Sequence, residues 1–187
     1  MFLRKSCLAG VAVAMAAAVL LAQEQPRREP DVVFVPTTDD AVKAMLELAG
    51  VTKNDIVYDL GCGDGRIVVA AAKLGAHAVG IDIDPRRITE AKAFAKSAGV
   101  ENLVRFEEND LFEADFHEAT VVTLFLLPDL NLKLKPRLLQ QLKPGTRVVS
   151  NTFNMGDWKP DKEITVPGSG QTYLSKNLFL WIIPQKE

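Results

Sequence analysis

The chain has 187 residues, of which 48% are hydrophobic and 25% charged, with 22 basic against 24 acidic side chains and a formal net charge of −2. That length suits one domain with a short appendage, and the composition excludes a globally disordered chain. No basic run exceeds the pairs Arg27-Arg28 and Arg86-Arg87, so no face for neutralising phosphates is visible and no nucleic-acid partner is expected.

Residues 1–22 begin with Arg4-Lys5 and continue as an uncharged Ala/Val/Leu-rich run over 8–22. This pattern predicts an export signal, hence a periplasmic or secreted domain. The alternative is a retained anchor, with membrane association through residues 8–22, although the run falls short of the roughly 20 residues of a full span. Residues 23–31 read as a polar, Pro-containing linker, and residues 32–187 as the domain proper. Cys7 and Cys62 are the two cysteines; with the leader removed, no intrachain disulfide remains possible. His77 and His117 stand far apart without ligand spacing, and no metal is expected.

Beyond the linker, strand-like and helix-like segments alternate. Residues 39–49 carry Ala41, Val42, Met45, Leu46 and Ala49 at helical spacing, with Thr38 or Asp39 as cap and Gly50 as stop. Residues 56–60 read as a buried strand, 66–74 as a helix, 77–83 as a second strand and 85–98 as a helix opened by Pro85. Residues 104–107 form the third expected strand and 120–127 a fourth. A helix is expected over 131–142 and a fifth strand over 146–153. Such alternation predicts an α/β fold with a Rossmann-like, doubly wound, mostly parallel sheet. The tail differs: residues 163–166 and 173–183 are strand-like runs joined by Gly168-Ser169-Gly170, which predicts an antiparallel C-terminal hairpin on one sheet edge.

Asp59-Leu60-Gly61-Cys62-Gly63-Asp64-Gly65 lies where the first strand meets a helix. Glycines there let the backbone turn sharply and approach a ligand, and the helix N-terminus offers unpaired N–H groups. Asp82 ends the second strand, where a carboxylate can accept from both ribose hydroxyls of an adenosine. Asp110 follows the third strand, so all three acids fall on one rim of the sheet. NAD is the rival ligand, but its G-x-G-x-x-G pattern is broken: the glycines are spaced Gly61-x-Gly63-x-Gly65 and Arg66 stands where the pattern needs glycine. No Gly-Lys-Ser/Thr follows, which excludes a P-loop. The cofactor favoured is S-adenosyl-L-methionine.

The 59–65 loop resembles motif I of class I S-adenosylmethionine-dependent methyltransferases; Gly80-Ile81-Asp82 resembles their second motif and Asn109-Asp110-Leu111 their third. Phe34-Val35-Pro36-Thr37, together with Leu124-Phe125-Leu126-Leu127-Pro128 and Asn131, is similar to a narrower group: the mitochondrial lysine methyltransferases that act on the ATP synthase c-ring protein and on the adenine nucleotide translocase, with their bacterial relatives. That resemblance implies that Asp59, Gly61 and Gly63 hold the methionine end of the cofactor. It puts Asp82 on the ribose, Ile83 against the adenine, Asp110 and Leu111 at the adenine amino group, and Thr37 over the cofactor from the N-terminal side. It implies a protein lysine as acceptor. A monomer is the expected working form. The alternatives are a small-molecule acceptor, or a non-catalytic nucleoside-binding module on the same fold. Candidates for the acceptor end are Phe125, Leu126, Pro128, Asn131, Asn151 and Trp158, each of which has an ordinary structural role open to it: core, helix cap or edge cover. Methyl transfer from a sulfonium needs alignment more than proton transfer, and no catalytic base is identified. Cys62, with nothing basic beside it in sequence, is expected to fill space.

Overall fold

The computed structural model describes residues 34–167 and 176–185. The expected leader and linker, and the first residues of the expected last strand, lie outside the described residues. In chain order the elements are α1 (Asp39–Ala49), β1 (Ile56–Leu60), α2 (Arg66–Lys73), β2 (His77–Asp82), α3 (Pro85–Ser97), a 3-10 turn (Glu101–Leu103), β3 (Val104–Glu108), β4 (Val121–Leu124), α4 (Pro128–Gln141), β5 (Arg147–Asn151), β6 (Lys162–Val166) and β7 (Lys176–Ile182).

Seven strands form one sheet in the order β3-β2-β1-β4-β5-β7-β6. The first five pair in parallel, and β7 runs antiparallel between β5 and β6. The C-terminal hairpin therefore extends the sheet beyond β5, as expected from its two strand-like runs. The parallel strands are apolar because both faces are covered. One face packs Met45, Leu46, Ile67, Val68, Ile88 and Ala91 from α1, α2 and α3. The other packs Phe112, Phe116, Leu134, Leu138 and Trp181 under α4. Among the described residues no helix is long and apolar enough to cross a membrane.

Two boundaries move by three residues from expectation. The fourth strand ends at Leu124 rather than 127, and the helix begins at Pro128 rather than 131. Proline at a first helical position loses no hydrogen bond and has φ preset for the helix, which brings α4 forward and leaves 125–127 as an irregular connecting segment. The crossover from β3 to β4 contains no helix; its Phe112, Ala114 and Phe116 are buried directly against the sheet. Finally, Thr38 occupies the N-cap of α1 without a side-chain cap bond.

The chain runs from β1 outward through β2 to β3, then crosses back to β4 on the other side of β1. The loops after β1 and β4 thus diverge at the sheet's carboxyl rim, which opens a crevice at the switch point.

Candidate active site

That crevice is a cavity of about 380 Å³ lined from several elements: Phe34, Val35 and Thr37 before α1; Asp59, Gly61, Cys62, Asp64 and Arg66 at the glycine loop; Asp82, Ile83, Asp84, Arg86 and Arg87 at and after the end of β2; Asn109 to Leu111 after β3; and Phe125, Leu126 and Leu130 after β4. Seven of the eight residues singled out in sequence line it: Thr37, Asp59, Gly61, Asp82, Ile83, Asp110 and Leu111. Gly63 does not line it, and instead lies against the Phe34 ring, where a Cβ would come within 2.2 Å of Phe34 Cε2. With φ of 52° as well, this position requires glycine on two independent grounds. Gly61 is similarly pressed, its imagined Cβ 2.9 Å from Leu126.

Asp59 is buried at the end of β1, where its Oδ1 accepts from the Thr123 hydroxyl at 2.7 Å. Burial, opposed by that hydrogen bond and reinforced by the carboxylates of Asp82 and Asp64, pushes its pKa up to about 7. A carboxyl so placed is stabilised in its charged form by a cation entering the crevice. Asp82 ties two loops together: Oδ2 accepts from Gly63 N–H at 2.8 Å and Oδ1 from Asp84 N–H at 2.9 Å. Each carboxylate oxygen has a second lone pair for a hydroxyl donor. Asp110 Oδ1 accepts from Phe112 N–H at 2.8 Å, which fixes the turn after β3.

Arg66 and Phe34 are residues whose roles sequence reasoning missed. Arg66 forks onto Asp64, with Nη2 2.6 Å from Oδ2, and donates from Nη1 to the Thr37 carbonyl at 2.6 Å. Burial pushes Asp64 up, but the Arg66 hydrogen bonds and charge outweigh it and hold the carboxyl below its ordinary value. The arginine thereby pins the segment before α1 against the start of α2. Phe34 is held a second way, with the Arg87 guanidinium 4.2 Å from its ring centroid. The one sequence signal for Arg66 was negative: it occupies the place where a dinucleotide motif has glycine.

The acceptor-end candidates divide. Phe125 and Leu126 line the cavity, and Phe125 stacks on Phe153 with centroids 6.4 Å apart. Pro128, Asn131, Asn151 and Trp158 are not among its lining residues. Pro128 starts α4. Asn131 is not a cap: since α4 starts early, it falls inside the helix, fully buried, and its Nδ2 donates to Ser150 Oγ and to the Phe153 and Asn154 carbonyls. Trp158 packs on Trp181 and accepts the Trp181 indole N–H through its carbonyl at 2.8 Å. Asn151 is buried at the end of β5 with its Nδ2 unpaired among the described residues. The next residue, Thr152, has φ of 70°, a strained conformation for a β-branched side chain. Cys62 is a buried free thiol that donates to the Gly63 carbonyl at 3.8 Å, and burial pushes the thiol well above its ordinary pKa, so it packs rather than attacks. Among the described residues no His, Cys, Asp and Glu side chains converge as a metal site.

The crevice therefore offers glycine-shaped backbone, a buried carboxyl that a cation would hold charged, a carboxylate at the second strand end and an apolar wall leading to an aromatic pair. This suits a nucleoside with a cationic tail. Comparisons with known proteins agree. Residues 59–162 match the family described as the ANTKMT methyltransferase domain. A protein-lysine N-methyltransferase of Saccharolobus islandicus is 46% identical over 82% of this chain and 95% of its own length. An ATP synthase lysine N-methyltransferase of Xenopus laevis is 35% identical over 68% of this chain; the match spans 56% of that relative. A crystal structure described as an RNA methyltransferase from Salinibacter ruber, in complex with S-adenosyl-L-homocysteine, is 51% identical with a TM-score of 0.77, over 82% of this chain and 96% of that one. On this fold, this crevice and these likenesses, the chain belongs to the ANTKMT methyltransferase-domain family and is an S-adenosylmethionine-dependent methyltransferase.

Proposed function

We propose that the chain transfers the methyl group to a lysine amine of a protein. The observation that carries this reading is the likeness to the Saccharolobus protein-lysine N-methyltransferase, which extends over 95% of that protein. The geometry supports it. In this reading Asp59, as the carboxylate, pairs with the ammonium of the cofactor's methionine end beside the backbone of Gly61 and Gly63. Asp82 accepts from the ribose hydroxyls, Ile83 and Leu111 flank the adenine, and Asp110 receives its amino group. Thr37, held by Arg66, covers the cofactor from the N-terminal side. When bound, S-adenosylmethionine supplies an electrophilic methyl on a sulfonium, so the protein's part is to align the acceptor and exclude water. An apolar wall at Phe125 and Leu126 lowers an amine's pKa and so favours the neutral nucleophile.

RNA is the second reading, favoured by the description of the Salinibacter structure. Against it stand the net charge of −2 and the pairing of the arginines at the crevice: Arg66 with Asp64, Arg86 with Asp84, Arg87 with Glu90. Each of these charges is offset by a neighbouring acid, which weakens the field that would draw phosphates to the crevice. For the whole chain we further propose a monomer that residues 8–22 direct to export or hold at a membrane. The test is to incubate the full-length protein and radiolabelled S-adenosylmethionine with soluble and membrane extracts of its host. After hydrolysis we expect label in methyl-lysine. Label confined to methylated nucleosides or small molecules would overturn the lysine reading.

A further inference from the structure

Lys176 opens β7, and among the described residues it is set apart from the other lysines. Its ammonium lies 5.7 Å from the centroid of Phe125, a ring that lines the cofactor crevice. Lys133 also lies over a ring, Phe112, at 4.0 Å, but that ring is not part of the crevice wall. Lys135 is engaged by Asp157 at 2.6 Å. Lys176 is half-buried; it projects from the same face of β7 as Leu178 and Leu180, which pack into the core on the α1 side. Phe153, just after β5, stacks on the same Phe125 ring. An ammonium on a long, flexible stem thus already lies 5.7 Å from the centre of a ring that lines the cofactor crevice.

We propose that Lys176 is an acceptor for the protein's own methyltransferase activity, modified in the same chain that carries it. The inference rests on the reading that the acceptor is an amine. The step balances simply. Lys176 releases a proton to water, its nitrogen lone pair bonds the methyl carbon, the carbon–sulfur bond breaks, and that electron pair stays on sulfur to leave neutral S-adenosylhomocysteine. The first requirement is a neutral amine, and the surroundings favour it: burial, with the charge of Arg66 acting in the same direction, lowers the Lys176 pKa below its ordinary value. The second is proximity. A lysine tethered at the crevice rim presents a far higher local concentration than a free amine. The methylated ammonium keeps its charge and its place against Phe125, because the attraction of a cation to a ring face survives methylation.

The experiment incubates the full-length protein with S-adenosylmethionine carrying a deuterated methyl group, alone and with host extract, and maps modified lysines by mass spectrometry. We expect deuterated methyl on Lys176 in the protein alone, at a fractional rate unchanged by dilution. We expect its loss in a folded K176R variant, with folding checked by circular dichroism. Lys176 left unmodified while extract proteins gain methyl-lysine would overturn this inference and leave the lysine reading standing. No methyl-lysine in either sample would overturn both. A fractional rate that falls on dilution would overturn modification within the same chain.

Discussion

Asp59 concentrates the chemistry of the site in one side chain. It is fully buried, hydrogen-bonded to Thr123 and pushed up to about pH 7 by burial and by two neighbouring carboxylates. Its folded-state pKa is raised above the ordinary 3.8, so the free folded protein holds this proton more tightly than the unfolded chain does. The sign follows from linkage: this group costs stability as pH rises from about 4 to about 7. A cofactor ammonium reverses the preference, since it binds the charged form. Cofactor affinity should therefore fall about tenfold per pH unit below 7, and binding near pH 6.5 should release a proton, readable as a buffer-dependent enthalpy in calorimetry. The Asp59→Asn variant should lose that pH dependence and bind more weakly. Without cofactor above pH 7 it should melt higher than the parent protein, because the buried charge is gone. A pH-independent parent affinity would contradict the role assigned to Asp59. Asp59, Asp82 and Asp110 were legible in sequence because each sits at a strand end beside a motif. The roles of Phe34 and Arg66 were not, because their partners Gly63, Arg87 and Thr37 come to them through the fold or through side-chain geometry that spacing does not encode.

At the scale of elements, the crevice is made by what joins strands to helices. Proline at the start of α4 shortens β4 and frees Phe125 and Leu126 to form the wall. The same shift carries Asn131 one turn into the helix, where it ties α4 to the end of β5. Sequence reasoning placed the helix start at Asn131 because an asparagine is a good cap; proline's stronger positional preference decided otherwise. The segment before α1 is attached chiefly by Arg66 to Thr37 and by Phe34 to Arg87 and Gly63. An Arg66→Ala variant should leave the melting temperature nearly unchanged, since the side chain is part-exposed and surface pairs contribute little. It should weaken cofactor binding and speed proteolysis ahead of α1. Limited proteolysis with calorimetry checks this. Unaltered cleavage and affinity would show that Arg66 does not hold the segment in solution.

Over the whole molecule, alternating strand and helix patterns were sufficient to reveal the doubly wound sheet, because buried parallel strands and amphipathic helices are patterned differently. The terminal hairpin was legible from its glycine-centred joint. Less visible was the β3–β4 crossover, where Phe112 and Phe116 fill a face that a helix covers elsewhere in the sheet; no helical period marks it. The assembled fold brings three acids, distant in sequence, to one rim, and the account depends on that convergence. The most direct measurement is calorimetric titration of S-adenosylhomocysteine into the parent protein and an Asp82→Ala variant, with NAD as control. The account predicts micromolar-range binding by the parent, none comparable for NAD, and a loss of about 1.5–3 kcal/mol in the variant, the scale of charge-assisted hydrogen bonds. Equal affinity in a folded Asp82→Ala protein, or tighter binding of NAD, would contradict it.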